Sequence, residues 1–339
     1  MTFHNTFWMH FFGAGIAAAV CAGFIILMKP LLIRYALARP NARSSHTIPT
    51  PQGGGIAVLL ACFLVYSLFY AFNTSTQNIL PVLSWAVPLA ILGGIDDIRP
   101  LPAWLRFIVQ IFICGCVIYM STDETSRIFP GFIPLQIEQL FLTFCAVWFV
   151  NLVNFMDGLD WITVAEFIPV LLALVFLLNQ SADFQQALFA ACLLGSLLGF
   201  AWFNKPVARL FLGDVGSLPI GLLAGYLLLQ LALAGYLVAA LLLPLYYLCD
   251  ATITLVRRFL EGKKVWQAHR EHFYQQATDN GFSVLQVVSH IFLLNSLLAF
   301  LALLTLHLSS LLAHIFVLSM GFLCVGYVIK RFSTPLNVL

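Results

Sequence analysis

The chain has 339 residues, of which 61% are hydrophobic and 9% are charged, and its mean hydropathy is +0.97. A soluble domain of this length would carry far more charge, so the composition excludes that class. The formal net charge of +2 predicts no particular partner by itself, and we expect no binding to nucleic acid.

Long apolar segments follow one another from end to end of the chain. Apolar segments of about 17–25 residues have the length of a helix that crosses a membrane. Eleven such segments predict an all-α polytopic membrane protein, built as a single domain from residues 1–339. The predicted spans are Trp8–Met28, Gly54–Phe72, Ile79–Ile95, Trp104–Met120, Leu135–Val153, Ile162–Asn179, Phe184–Phe203, Ser217–Leu231, Leu233–Val256, Val284–Leu306 and Ser309–Ile329.

The basic residues predict the orientation of these spans. With eleven spans, 15 of the 16 Lys and Arg residues fall in loops that follow odd-numbered spans, and only Arg127 falls on the other side. Basic residues accumulate on the cytoplasmic side of membrane proteins. We therefore expect a multi-pass protein of a cytoplasmic membrane whose N-terminus lies outside.

Three acidic patches lie on the face that this topology makes cytoplasmic. Asp96-Asp97 follows the third span, Asp157 and Asp160 follow the fifth, and Asp214 follows the seventh. Carboxylates at the ends of membrane segments are costly to desolvate and repel one another unless a cation pairs with them. A divalent cation with a phosphate substrate would provide that pairing, so the patches indicate an enzyme that acts on phosphates. The alternative is that they cap helix ends.

The surroundings of two of these acidic patches suit that chemistry. Asn151, Asn154 and Asp157 recur every three residues, which places them on one stripe of a helix. Such oxygen ligands favour magnesium. Asp214 lies between two glycines in FLGDVGSLPIG, where Ser217 opens the next helix, and a tight loop before a helix start can approach a phosphate.

Basic and histidine side chains of two loops on this face suit a pyrophosphate and its leaving group. Arg43 and His46 precede a glycine-rich entry to the second span, and His269, Arg270 and His272 lie in a later loop. The alternative is that these histidines are solvated loop residues. Glu166 and Asp250 lie inside apolar spans, where each is equally a functional candidate and a buried structural hydrogen-bond partner.

Taken in this order, the motifs resemble those of the polyprenyl-phosphate N-acetylhexosamine-1-phosphate transferases (glycosyltransferase family 4), among them the bacterial O-antigen initiators. The resemblance covers about residues 34–275. It implies that a UDP-N-acetylhexosamine gives its sugar 1-phosphate to undecaprenyl phosphate and releases UMP. It also implies magnesium, with manganese as an alternative, in an enzyme of the bacterial inner membrane, and leaves a homodimer open.

The resemblance also implies roles for individual residues. Asn154 and Asp214 match magnesium ligands, and Asp96 or Asp97 matches the residue that handles the lipid phosphate. Asp157 and Asp160 belong to the catalytic motif, as do His269 and His272 at the phosphate site. The predicted substrate-binding residues are Arg43, His46, Asn204, Phe211 and Arg270.

Three departures from the family pattern bear on the sugar. The sequence reads DGLDW with Trp161 where Gly is common, Pro100 stands where some members have a third Asp, and the histidine triplet reads HREH. These features are closer to initiators that use a 6-deoxy sugar such as FucNAc or QuiNAc. A UDP-GlcNAc-specific transferase is the alternative within the family. A polytopic transporter and a non-catalytic scaffold are the alternatives from other classes.

Overall fold

A computed structural model describes residues 3–38, 49–71, 79–180, 184–267 and 269–336. Almost all regular structure in these ranges is helical, as predicted. A two-residue antiparallel ribbon pairs β1 (Leu37–Ala38) with β2 (Thr50–Pro51). The α-helices are α1 Phe3–Tyr35, α2 Gly54–Ala71, α3 Leu80–Leu83, α4 Ala86–Ile98, α5 Ala103–Ser121, α6 Leu135–Met156, α7 Ile162–Gln180, α8 Phe184–Asn204, α9 Asp214–Leu233, α10 Leu237–Leu242, α11 Leu245–Leu260, α12 Phe273–Asp279, α13 Val284–Leu304 and α14 Leu311–Phe332.

Ten stretches of the described chain are long and apolar enough to cross a membrane, which confirms the polytopic all-α class. The ninth predicted span, Leu233–Val256, is not one helix as expected. It is divided into α10 and α11 at Pro244, which has no N–H group to continue the helical hydrogen bonding. Apolar content alone does not reveal this division, because both short helices are apolar.

The divided segment nevertheless crosses the bundle. Helix α9 begins at Asp214 beside Asn154, near the end of α6. After α9 has run about 30 Å, α10 and α11 return the chain to the face where α9 began. Asp250 of α11 contacts Tyr274, whose hydroxyl donates to the carbonyl of Phe155 at 3.1 Å. The ninth crossing, made of two short helices, therefore preserves the predicted alternation of faces.

Helices α7, α8 and α9 form the centre of the bundle, and most of their side chains are buried. Helices α1, α4, α5 and α14 lie at the periphery, where large apolar side chains face outward. Since lipid tails are as apolar as the interior, exposed Leu, Ile and Phe are expected on such a surface.

Two close helix contacts depend on glycine and place the start of α9. A Cβ atom on Gly55 of α2 would overlap the backbone of Gly216, and one on Gly93 of α4 would overlap the carbonyl group of Asp214. Helix packing this close requires a residue without a side chain. The contacts hold the N-terminus of α9 between α2 and α4, directly beside the Asp pair that ends α4.

The exception to the charge pattern, Arg127, is neutralised on its own face. Its guanidinium donates to Glu138 at 3.1 Å and to Glu124 at 2.9 Å. Glu138 opens α6, a 22-residue helix whose other end carries Asn154. Arg127 and the acidic patches thus lie at opposite ends of the bundle.

We expect cysteines introduced at Glu124 and Lys263 to react with an impermeant maleimide from opposite sides of the membrane. Both side chains are exposed, at 72% and 45%, and the charge bias places position 263 inside. In a cysteine-free background, intact cells should label position 124, and position 263 should be labelled only after permeabilisation. Labelling of both positions in intact cells would contradict the eleven-crossing topology.

Candidate active site

The carboxylate of Asp97 caps the N-terminus of α9. Its Oδ1 accepts the backbone N–H of Asp214 and its Oδ2 accepts that of Val215, both at 3.0 Å. The first N–H groups of a helix have no partner within the helix, and their partial positive charge favours a carboxylate. Gly213 precedes them with φ of 77°, and a Cβ there would meet Oδ2 of Asp97. Asp97 therefore determines where Asp214 stands.

The side chain of Asp214 lies within a small polar group. Its Oδ1 accepts the amide of Asn154 at 2.7 Å, and the same amide nitrogen is 2.9 Å from the hydroxyl of Ser217. Its Oδ2 lies 3.9 Å from the guanidinium of Arg106. Asn154 and Asp214, the two predicted metal ligands, are thus adjacent, although the sequence separates them by 60 residues.

Asp96 differs from its neighbour because it faces α5. Its two oxygens accept the backbone N–H of Leu101 and a guanidinium N–H of Arg106, each at 2.5 Å. This pair holds Arg106 so that it also approaches Asp214. The structure brings Asp96 and Asp97 to the same site, as expected, and gives each a different protein partner. The role of either one at a lipid phosphate stays a prediction.

Asp157 lies in the turn between α6 and α7. Its Oδ1 accepts the hydroxyl of Thr163. Burial raises the pKa of Asp157 to about 7, and the negative charges of Asp97 and Asp160 act in the same direction, while the Thr163 hydrogen bond opposes them. A carboxylate with this pKa can exchange a proton near neutral pH.

Asp160 and Asn204 hold the loop that leads to Asp214. Asp160 accepts the N–H of Ala208 at 2.9 Å. The amide of Asn204 accepts the N–H of Trp161 at 2.8 Å and donates to the carbonyl of Leu210 at 3.0 Å. Both groups of this buried amide therefore have backbone partners. The predicted contact of Asn204 with uridine and the catalytic role of Asp160 stay predictions.

Trp161 occupies a backbone position that favours glycine. Its φ is 65°, in the left-handed region that costs a bulky residue about 1–3 kcal/mol. Glycine adopts this conformation without that cost. Here the indole N–H donates to the carbonyl of Ala201 at 2.6 Å and joins the turn to α8.

Phe211 lies beside the entry to α2. Its backbone N–H donates to Pro51 at 2.8 Å, and its carbonyl accepts from Gly54 at 2.9 Å. The ribbon and the loop before α9 are therefore held together by the backbone. Two other predicted binding residues, Arg43 and His46, lie outside the described residues.

The histidine loop lies on the same face. The rings of His269 and His272 stack with centroids 4.8 Å apart. Burial, together with the nearby basic groups His272 and Arg258, lowers the pKa of His269 to about 4, so this ring is neutral at physiological pH. Arg270 lies 3.5 Å from Asp279.

Glu271, one of the two residues that interrupt the histidine triplet, has its carboxylate paired with cations. It is bound by Arg258 and by Lys263, the latter at 2.9 Å. These pairs close the loop between α11 and α12. The departure whose apolar ring bears on a C6 methyl group is Trp161.

The described residues fit a magnesium ion that is shared with a substrate. No three His, Cys, Asp or Glu side chains among them converge as a cage made of protein alone. Magnesium, however, is commonly held by one or two carboxylates together with water and phosphate oxygens. Arg106 is the cation that contacts two of the acids, Asp96 and Asp214. The neighbouring carboxyl groups at residues 97 and 157 add hard oxygen donors that repel one another when ionised, and such a group suits a divalent cation.

Sequence reasoning missed two contributions to this site. Arg106 served only as evidence for orientation, although a cation ten residues after an Asp pair was a usable signal. Gln52 donates to the backbone carbonyl of Asp97 at 2.8 Å, and nothing in its sequence context indicated that. Glu166 accepts the amide of Asn295 at 2.5 Å and joins α7 to α13, which agrees with the structural reading.

Comparison with known proteins gives consistent matches. The family model "Glycosyl transferase family 4" matches residues 79–232. The phospho-N-acetylmuramoyl-pentapeptide-transferase of Deinococcus radiodurans is 30% identical over 238 residues, which are 64% of this chain and 73% of that protein. The decaprenyl-phosphate N-acetylglucosaminephosphotransferase of Mycolicibacterium smegmatis is 30% identical over 325 residues, 84% of this chain and 80% of that protein. The Mycobacterium leprae protein of the same name is 28% identical over 325 residues.

We expect Asp157→Asn to stabilise the protein more at pH 8 than at pH 4 in a chelator-containing buffer. A carboxyl whose folded pKa is raised gives full stability below its unfolded pKa of about 4 and loses it as the pH rises to about 7. The amide avoids that loss, which is on the order of 1–2 kcal/mol for this partly exposed side chain. The measurement is the unfolding temperature in detergent at the two pH values.

Asp123→Asn is the control. Hydrogen bonds from Thr125 and Ser126 lower the pKa of Asp123, so its amide variant should gain nothing at pH 8. An equal effect of Asp157→Asn at both pH values would contradict the raised pKa.

Proposed function

We propose that this chain, which belongs to glycosyl transferase family 4, transfers N-acetylhexosamine 1-phosphate from a UDP-sugar to undecaprenyl phosphate and releases UMP. The chain is a membrane-embedded phosphotransferase that moves a sugar 1-phosphate to a polyprenyl phosphate. The donor, the length of the acceptor and the location in a bacterial inner membrane are parts of the proposal. So is the placement of the site on the cytoplasmic side.

One observation carries this proposal: an apolar groove between three membrane-spanning segments ends at the polar site. The cavity has a volume of about 1070 Å³ and lies between α5, α6 and α11. Its walls include Phe107, Trp148 and Phe259, and its polar end includes Arg106 and Asn151. An isoprenoid tail can occupy the walls while its phosphate meets Arg106. A soluble nucleotide can reach the same site from the water-facing loops.

The geometry suits an in-line transfer between phosphates. A phosphate oxygen of the acceptor attacks the phosphorus that bears the sugar, and the bond to the UMP oxygen breaks. Such a transfer needs positioning and charge neutralisation more than covalent help from the protein. Arg106 provides a fixed guanidinium, and Asp97 fixes the helix start that presents Asp214.

Magnesium, or manganese in its place, would be held by Asp214 and Asn154 and would neutralise phosphate charge when bound. Asp157, whose pKa lies near 7, can exchange a proton with a phosphate in this site. His269 is neutral and can donate a hydrogen bond to a phosphate oxygen without needing to be charged.

There are two candidates for the sugar of the donor. The bulky Trp161 beside Asp160 favours a 6-deoxy sugar such as FucNAc or QuiNAc, which would place the enzyme at the start of O-antigen or related envelope polysaccharide synthesis. The relatives named N-acetylglucosaminephosphotransferases favour UDP-GlcNAc. Both candidates use the same phosphoryl chemistry.

We expect the purified protein to release UMP from a UDP-N-acetylhexosamine when undecaprenyl phosphate and magnesium are present. Asp214→Asn should lower kcat by about 10²–10³-fold, because the amide does not supply the anionic oxygen that phosphate transfer requires. Asp123→Asn, on the opposite face, is the control and should keep wild-type turnover. Failure to release UMP from any donor of this class would refute the proposed reaction. Wild-type turnover of Asp214→Asn at saturating magnesium would refute only its metal role.

We expect kcat/KM to be higher for a UDP-6-deoxy-N-acetylhexosamine than for UDP-GlcNAc. Burying an unpaired hydroxyl against an apolar wall costs about 1–3 kcal/mol, or roughly tenfold to over a hundredfold. Trp161→Gly should narrow the preference without unfolding the turn, because glycine adopts φ of 65° freely. The control is Trp202→Ala, because Trp202 is an exposed tryptophan near the C-terminal end of α8. Equal kcat/KM values for the two donors in the wild-type enzyme would favour the UDP-GlcNAc alternative.

A further inference from the structure

Asp250 is a fully buried carboxylate in the divided crossing, and five groups surround it. Within α11, Tyr246 and Thr254 donate their hydroxyls at 3.0 and 3.4 Å. The backbone N–H groups of Phe273 and Tyr274 donate at 3.0 and 3.1 Å. A buried carboxylate is tolerated only when hydrogen bonds replace those that it would make with water. Here the hydroxyl donors belong to α11 itself, and the backbone donors belong to the start of α12.

The fifth group is the ring of His272, whose Nδ1 lies 3.2 Å from Oδ1 of Asp250. A carboxylate at this distance places the proton on Nδ1, so Nε2 is the free nitrogen. His272 is itself only 2% exposed. It is therefore poorly placed to touch a substrate and well placed to support something that does.

The ring of His272 is the middle member of a stack. His269 lies on one side, with centroids 4.8 Å apart and planes 28° apart, and Tyr274 lies on the other at 5.7 Å and 19°. The hydroxyl of Tyr274 donates to the carbonyl of Phe155 and leaves no room for a side chain at Gly158. The stack therefore joins the histidine loop to the turn that carries Asp157.

The outer ring of the stack, His269, is the accessible one. Its Nδ1 accepts the N–H of Glu271 at 3.3 Å, so the neutral ring carries its proton on Nε2 and can donate it. A donor of this kind needs a fixed direction, and the ring beneath it provides one.

We infer that Asp250 is a positioning residue of the reaction, holding His272 so that its ring fixes His269 toward the phosphates of the UDP-sugar. The identity of that ligand rests on the proposed function. The arrangement of Asp250, His272 and His269 rests on the hydrogen bonds and the ring stack.

Asp250→Asn tests the functional part. In either orientation of the new amide, its NH2 group faces a backbone N–H that now donates to the carboxylate, that of Phe273 or that of Tyr274, so the segment that carries His272 must shift. We expect kcat to fall by about 10–100-fold, as for other residues that orient a site ligand from behind, with KM for the UDP-sugar changed less than about threefold. Glu166→Gln, another buried acid-to-amide change that keeps an acceptor for Asn295, is the matched control and should keep wild-type activity.

A double-mutant cycle separates positioning from general stability. In a His269→Ala background, Asp250→Asn should cost less than about threefold further, because its effect passes through His269. Losses that multiply in the double variant would contradict the inference, as would wild-type activity of Asp250→Asn.

Diethyl pyrocarbonate labelling of the wild-type protein tests the arrangement without any variant or turnover. Mass spectrometry should find His269 modified and His272 protected. Equal modification of the two rings would overturn the inference. If no UDP-sugar releases UMP, the proposed function fails separately, and the labelling result still decides whether His272 is buried behind an accessible His269.

Discussion

The hydrogen bonds from the start of α9 to the carboxylate of Asp97 organise this protein. They satisfy backbone groups that a helix cannot satisfy by itself, and they do so with an acid from α4 that is 117 residues away in the sequence. Because helix α9 is central and buried, its position determines where Asp214 meets Asn154 and Arg106. The glycines that let α2 and α4 approach α9 serve the same arrangement.

A second buried acid, Asp250, caps the start of another helix in the same way. Asp250 accepts the first N–H groups of α12 and the ring of His272, as Asp97 accepts those of α9. In both cases the carboxylate belongs to a membrane helix and the helix start belongs to the segment that carries site residues. Rigid crossings thereby orient residues of the connecting loops, which suits a reaction that depends on positioning.

The site also joins an apolar region to a polar one. The groove between α5, α6 and α11 is lined mainly by apolar side chains, with Arg106 and Asn151 at its polar end. Arg106 stands where the two regions meet, held by Asp96. In the proposed reaction, this is where the phosphate of the lipid acceptor would meet the nucleotide donor. The division of the ninth crossing at Pro244 matters here, because α11 forms one wall of the groove.

The sequence by itself determined the membrane class, the alternation of faces and the convergence of the acidic patches. Hydropathy and charge act on each segment separately, since the transfer of a helix into lipid depends on its own composition. The segment Leu233–Val256 shows the limit, because apolar content could not distinguish one helix from two. Only the tertiary structure decided that Asp97 caps α9, that Asn204 binds backbone groups, that Glu271 is bound by cations and that Asp250 holds His272. Each of these contacts depends on how helices that are distant in the sequence pack together. A hydrogen bond between such helices produces no periodic pattern in the sequence.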